Sequence, residues 1–216
     1  MPSREWEVWC DGDQYRQHCK APSFAALLTL ARIINNLRYH HVVSLSVMND
    51  DSPSGSRQRI TSFLNVAGAL YEALLFAERL GKFFAVDEAL ADIRELLRSP
   101  EVQRLRNGPL KRLRHQAVYH YDEDAIASAL STMADGEKYV FASGTTFSKA
   151  DVYYELADIT VFHHAFLGDA DPRPFPERLQ SFFHDAADLT IRFGNAADRL
   201  IANRLKEGGW RTTRAA

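Results

Sequence analysis

Hydrophobic residues recur every three or four positions along most of the chain, which is the spacing of one face of an α-helix. The first stripe predicts a helix over 23–48, with Ser23 as the N-cap because a serine side chain accepts hydrogen bonds from the first helical amides. Its apolar face is predicted to contain Leu27, Leu28, Ala31, Ile34, Leu37, Leu45 and Met48. A polar loop over 49–56 precedes a second long helix that ends near Gly81. The stripe of this second helix consists of Ile60, Phe63, Leu64, Ala67, Leu70, Tyr71, Leu74 and Leu75.

The rest of the chain divides into shorter segments with the same periodicity. Helices are predicted over about 86–97, from Pro109 to about 121, over about 123–135, over about 148–167 and over about 176–206. The segment 138–147 fits a short β pair or a plain loop, and the tail 207–216 is expected to fray. Because neither a repeat nor a linker divides the chain, we predict one all-α helical bundle of six or seven helices over 1–216.

Composition and charge fit an ordinary globular domain. The chain has 216 residues, of which 46% are hydrophobic and 25% charged, and its net charge is -2. No global positive field attracts nucleic acid, so any RNA contact requires a local basic patch. The most basic segment of the chain contains Arg104, Arg106, Lys111, Arg112 and Arg114.

Two features bear on the compartment. The two cysteines, Cys10 and Cys19, are too few for a disulfide framework, which favours a reducing, cytoplasmic location. The first twenty residues contain acidic side chains and no apolar core, which argues against a signal peptide. Even the most apolar run, 66–76, includes Glu72, so we predict no membrane-spanning helix.

Familiar cofactor and metal motifs are not found in the sequence. It contains no phosphate-binding GxxxxGK[ST] loop, no dinucleotide-binding GxGxxG, no HExxH and no GxSxG. The pairs His40-His41 and His163-His164 point about 100° apart on a helix and cannot chelate one metal from one face. We therefore predict neither a metal nor a cofactor.

Arg114 and His120 are the residues that suggest chemistry. A guanidinium binds a phosphate through two parallel hydrogen bonds, and an imidazole moves protons near neutral pH. Having both in one short basic segment fits the cleavage of a phosphodiester, with the arginine stabilising the charged transition state and the histidine acting as general base or acid. The two residues are six positions apart, which places them about 120° apart around a helix. A shared site therefore requires that the helix end turns or that a second chain completes it.

The segment Leu113–Asp122 resembles the motif of the HEPN superfamily, in which an arginine and a histidine are separated by four to six residues. Here five residues separate Arg114 from His120. The order of three earlier segments, over 32–38, 56–59 and 70–72, resembles the abortive-infection-like branch of that superfamily. The resemblance covers a core of about 23–130 and leaves the helices over about 148–206 as additions.

This resemblance implies a metal-independent endoribonuclease, a toxin or phage-defence component, that leaves a cyclic phosphate and a 5′-hydroxyl. It implies a homodimer whose two motifs face one cleft, RNA as substrate and an antitoxin as partner. Arg114 and His120 would be catalytic, and Glu72 would orient one of them. The residues expected to bind substrate are His115, Tyr121, Lys111 and Arg112. Asp122 stands where some HEPN toxins have a tyrosine, which puts regulation through that tyrosine in doubt.

A different interpretation of the same residues is purely structural. Arg114 would pair with Glu72 or Asp122 and fix the register of two helices, and His120 would cap a helix end. The protein would then be a catalytically silent HEPN module that binds a partner protein, RNA or a nucleotide-like ligand. The exposure of Arg114 and His120 is the observation that separates the two interpretations.

Overall fold

Three long helices form the centre of the bundle: α2 (Pro22–Ser46), α3 (Pro53–Ala77) and α9 (Phe175–Glu207). The computed structural model describes residues 7–9, 12–84, 88–115, 123–133, 141–142, 153–169, 171–208 and 211–213. Helices α2 and α3 form an antiparallel hairpin, and α9 packs along α2 and α4 (Glu88–Arg98). The all-α helical bundle predicted from the hydrophobic pattern is therefore confirmed.

Shorter elements surround this centre. The other helices in the described part of the chain are α1 (Gly12–His18), α5 (Pro100–Leu105), α6 (Lys111–Leu113), α7 (Glu123–Leu130) and α8 (Glu155–Ala165). A single tight turn, Leu80–Lys82, follows α3. Between α5 and α6 the chain forms one wide helical turn, Arg106–Leu110, and its backbone leaves the helical region at Gly108 (φ -106°, ψ -111°).

Serine–proline pairs begin two of these helices. The Ser52 hydroxyl accepts a hydrogen bond from the Gly55 amide at 3.1 Å, and Ser99 accepts one from Val102 at 3.3 Å. In both cases proline occupies the first helical position, where its missing N–H removes no hydrogen bond. The same rule corrects the predicted start of α2, because that helix begins at Pro22 with Ala21 as N-cap, and Ser23 lies inside the first turn.

Extended backbone within the described residues is confined to two short antiparallel pairs. Strand β1 (Glu7–Trp9) pairs with β4 (Arg211–Thr213), with Val8 opposite Thr212. Strand β2 (Phe141–Ala142) pairs with β3 (Tyr153–Tyr154). The first pair corrects the predicted frayed tail, since β4 joins the two ends of the chain. The helix predicted over 148–167 is shorter than expected, because β3 directly precedes α8, which begins only at Glu155.

The buried apolar residues form one cluster that spans the three long helices. In the predicted α3 stripe, Phe63, Ala67, Leu70, Tyr71 and Leu74 are buried, whereas Ile60, Leu64 and Leu75 are only partly buried against the core. The prediction for α2 was only partly right: Leu28, Leu45 and Met48 are about half exposed. Leu45 lies in the last turn of α2 and Met48 in the turn that follows it, beyond the fully buried part of the core.

Helix α3 and the turn after it also meet the length and hydropathy of a membrane span. By these two criteria alone, the segment Ser54–Lys82 could cross a bilayer. Half of its most apolar window is buried inside the bundle, and a core helix meets the same two criteria.

Candidate functional site

The predicted site centres on the point where α6 ends beside α3. Leu110 and Leu113 are fully buried and fix this short helix against the core. Because Arg114 directly follows the buried Leu113, its backbone is held at the edge of the core. Glu72 lies between the buried residues Tyr71 and Ala73 on α3, which fixes its backbone equally well.

Arg114 and Glu72 form an ion pair at this boundary. The Arg114 Nε donates to the Glu72 Oε1 at 2.7 Å. The arginine side chain is 22% exposed and the carboxylate 46%, so the pair lies at the surface of the bundle. The structure thus brings together two of the three residues predicted to be catalytic. The pairing also matches the structural interpretation, and the partial exposure keeps the pair within reach of a ligand.

A contact between two rings lies beside this ion pair. The exposed His115 ring packs edge-on against the buried Tyr71 ring, with centroids 5.6 Å apart and planes at 74°. Adjacent residues of α3 therefore meet adjacent residues after α6: Tyr71 with His115, and Glu72 with Arg114. The guanidinium and the neighbouring imidazole thus both contact α3. Sequence reasoning did not assign Tyr71 to the site, although its position directly before Glu72 was a usable signal.

The two basic residues before Arg114 have different environments. The Arg112 Nη1 donates to the carbonyl of Ala165 at 2.9 Å, and Ala165 is the last residue of α8. A cation at the carboxyl end of a helix satisfies an unpaired carbonyl and complements the helix dipole. Lys111 is exposed and forms no ion pair with any described residue. Lys111 and His115 are four positions apart, the spacing of one helical face.

His120 and Tyr121 lie outside the described residues, and so do Asp122 and Cys10. Cys19 is described, and it is an exposed free thiol.

The other arginines of the basic segment are held by acidic side chains. Arg106 donates to Glu78 through both terminal nitrogens, the second at 3.0 Å, and Arg104 donates to Asp185 at 2.7 Å. These contacts link the segment to α9 and to the end of α3. They also cancel much of the positive charge that the sequence suggested. Neither acidic partner was predicted, because both lie far from the segment in the sequence.

A separate polar cavity of about 510 Å³ lies along α2. Its described lining consists of Thr29, Arg32, Ile33, Asn35 and Asn36. A guanidinium beside two amides provides several hydrogen-bond donors and acceptors in one place. Four of these residues are exposed or half-exposed polar side chains, so the cavity is open to solvent.

Metal ligands are not assembled in the described part of the chain, where no group of three His, Cys, Asp or Glu side chains could hold an ion. His163 is buried and its ring stacks on that of Phe175, with ring centroids 3.5 Å apart, which is a packing contact within the core. Comparison with known proteins adds no assignment, since the chain matches no protein-family model, no curated protein and no solved structure.

Proposed function

We propose that this protein is a metal-independent endoribonuclease of the HEPN type, with Arg114, His120 and Glu72 at its catalytic site. The observation that carries the proposal is the contact of 2.7 Å between Glu72 and Arg114 at the surface of the bundle. Both side chains remain partly exposed, so a phosphate in solution can approach the guanidinium.

The proposed reaction is an internal transfer at phosphorus. The RNA 2′-hydroxyl oxygen forms a bond to the adjacent phosphorus, and the bond from phosphorus to the 5′-oxygen breaks. One imidazole takes the proton of the 2′-hydroxyl, and a protonated imidazole gives a proton to the 5′-oxygen. The products are a 2′,3′-cyclic phosphate and a 5′-hydroxyl end. The Arg114 guanidinium stabilises the charge that develops on the phosphoryl oxygens, and Glu72 holds its plane.

A homodimer follows from this chemistry. The reaction requires one imidazole to accept the proton of the 2′-hydroxyl and another to donate a proton to the 5′-oxygen. The motif of each chain provides a single histidine at the required position, His120. Two copies facing one cleft provide two imidazoles, as in other members of the proposed family. We further propose that the protein acts in the cytoplasm as a toxin or phage-defence factor, with an antitoxin as its partner.

The test is cleavage of single-stranded and structured RNA by the purified chain in EDTA. We expect cleavage by the wild type, products with cyclic phosphate ends, and loss of about a hundredfold or more in His120→Ala. His184→Ala, at an exposed histidine on α9, is the matched control and should cleave normally. Equal RNA survival with wild type and His120→Ala, or loss of cleavage on adding EDTA, would refute the proposal.

A second candidate function is a non-catalytic module that binds a nucleotide-like ligand. The polar cavity along α2, with Arg32 beside Asn35 and Asn36, favours it, as does the neutralisation of Arg104 and Arg106. This alternative expects Arg32→Ala to abolish nucleotide binding while no variant and no wild-type sample cleaves RNA. Equilibrium binding of labelled mononucleotides measures the difference directly.

A further inference from the structure

An apolar cavity lies at the opposite end of α3 from Glu72. Its volume is about 330 Å³, and it is enclosed by the end of α2, the beginning of α3 and the middle of α9. The apolar side chains that define it include Leu45, Met48, Ile60, Phe63, Val66 and Phe183. Phe63 and Phe183 pack against each other with ring centroids 4.0 Å apart, which gives the cavity an aromatic wall.

The rim of this cavity is held in place by Arg59. Its Nη1 donates to the carbonyls of Val47, Met48 and Asp50 at 2.9–3.1 Å, and its Nη2 donates to the Ser56 hydroxyl at 3.1 Å. These bonds tie the end of α2 to the first turns of α3. The cavity is therefore a built feature of the helical hairpin and does not depend on the position of one surface side chain.

Two hydrogen-bonding side chains line the otherwise apolar wall. His41 and Ser44 are one helical turn apart on α2, and both line the cavity. Neither side chain makes a hydrogen bond to another described residue. The contrast with Ser46 is informative, because its hydroxyl turns back to the carbonyl of Val43 at 2.8 Å. Apolar walls with a few polar side chains are the usual composition of a small-molecule site.

The charges at the cavity favour an anionic group. Its described lining contains the cationic Arg59 and the titratable His41 but no acidic side chain. Asp50, on the loop between α2 and α3, has a pKa that is lowered by hydrogen bonds from Ser52 and, less strongly, by Arg59 itself. Its side chain is not part of the cavity lining.

We propose that this cavity binds an aromatic carboxylate of one or two fused rings, with the rings against Phe63 and the carboxylate near His41 and Ser44. A cavity of about 150 Å³ accommodates benzene, so one of 330 Å³ has room for two rings and a polar group. The site is independent of the proposed nuclease chemistry, because it shares none of the residues proposed for that reaction.

Calorimetric titration of the full chain with 2-naphthoate tests the proposal, with 2-naphthalenemethanol as the uncharged probe of the same shape. We expect saturable binding of one naphthoate per chain, about tenfold tighter than the alcohol because hydrogen bonds to a charged group are stronger. No saturable binding of naphthoate, or equal affinity for the alcohol, would overturn the proposal.

Matched variants locate the site. Ser44→Ala should weaken naphthoate binding about three- to tenfold, whereas Ser46→Ala should leave it unchanged. Ala187→Leu, which adds bulk at a residue lining the cavity on α9, should abolish binding while circular dichroism shows the helical content retained. Equal effects of Ser44→Ala and Ser46→Ala, or full binding by a folded Ala187→Leu protein, would place the ligand elsewhere and refute the assignment.

Discussion

Glu72 and Arg114 are separated by 42 residues in the sequence, yet the Oε1 of one lies 2.7 Å from the Nε of the other. Each is fixed by buried neighbours, Tyr71 on α3 and Leu113 on α6. An arginine held in this way loses little side-chain entropy when it binds a phosphate, which is the property that a phosphodiester-cleaving site requires. The same contact stabilises the junction of the two helices, so function and stability can be measured on one pair of residues.

Replacing Glu72 by glutamine should separate these two contributions. Because the pair is partly exposed, we expect the free energy of unfolding to fall by no more than about 1 kcal/mol in urea titrations. RNA cleavage should fall by a larger factor, about tenfold or more, since the plane of Arg114 is no longer held by a charge. Glu95→Gln, at an exposed carboxylate on α4, is the control. Equal RNA cleavage by Glu72→Gln and Glu95→Gln would contradict this prediction and would show that the ion pair has only a structural role.

Arg112 and Lys111 are adjacent basic residues with different contacts, and they should respond differently to alanine. Arg112→Ala removes the donor to the Ala165 carbonyl at the end of α8 and should cost about 1 kcal/mol of unfolding free energy. Lys111→Ala, at an exposed side chain, should change stability by less than about 0.5 kcal/mol. Thermal unfolding of both proteins by circular dichroism makes the comparison, and equal melting temperatures would contradict the capping role of Arg112.

Leu113 anchors the segment that presents Arg114. Its side chain is 1% exposed, so Leu113→Ala should destabilise the fold by about 2–5 kcal/mol through lost burial and a residual cavity. Leu28, which is 50% exposed on α2, is the matched control, and Leu28→Ala should cost about 1 kcal/mol or less. Chemical denaturation gives both values. A small effect at Leu113 would mean that α6 is not docked as the structure has it.

His40 should make stability depend on pH. Burial lowers the pKa of His40 from its ordinary value of 6.5, so the unfolded chain binds a proton more readily than the folded one. Its contribution to stability is therefore present above pH 6.5 and is lost as the pH falls through the lower folded pKa. His40→Gln should reduce the loss of stability on acidification, as measured by urea titrations on either side of that pH. An NMR titration that returned a His40 pKa at or above 6.5 would contradict the prediction.

Local signals in the sequence located several helices well and others poorly. Helix α9 was predicted over 176–206 and runs over Phe175–Glu207, because its apolar spacing is continuous between clear boundaries. The prediction missed α1 and α5, which have only 7 and 6 residues and too few turns to show a period. It also missed the pairing of β1 with β4, since strands from opposite ends of a chain leave no common local pattern.

The sequence by itself determined the helical character of this protein, the burial of the centre of the α3 stripe and the candidate residue Arg114. These follow from periodicity and residue chemistry, which act over a few neighbouring positions. Only the tertiary structure decided that Glu72 meets Arg114, that Arg112 caps α8 and that Phe63 faces a cavity with His41. Such contacts depend on how helices distant in sequence pack against each other, and many sequences with the same periodicity would pack them differently.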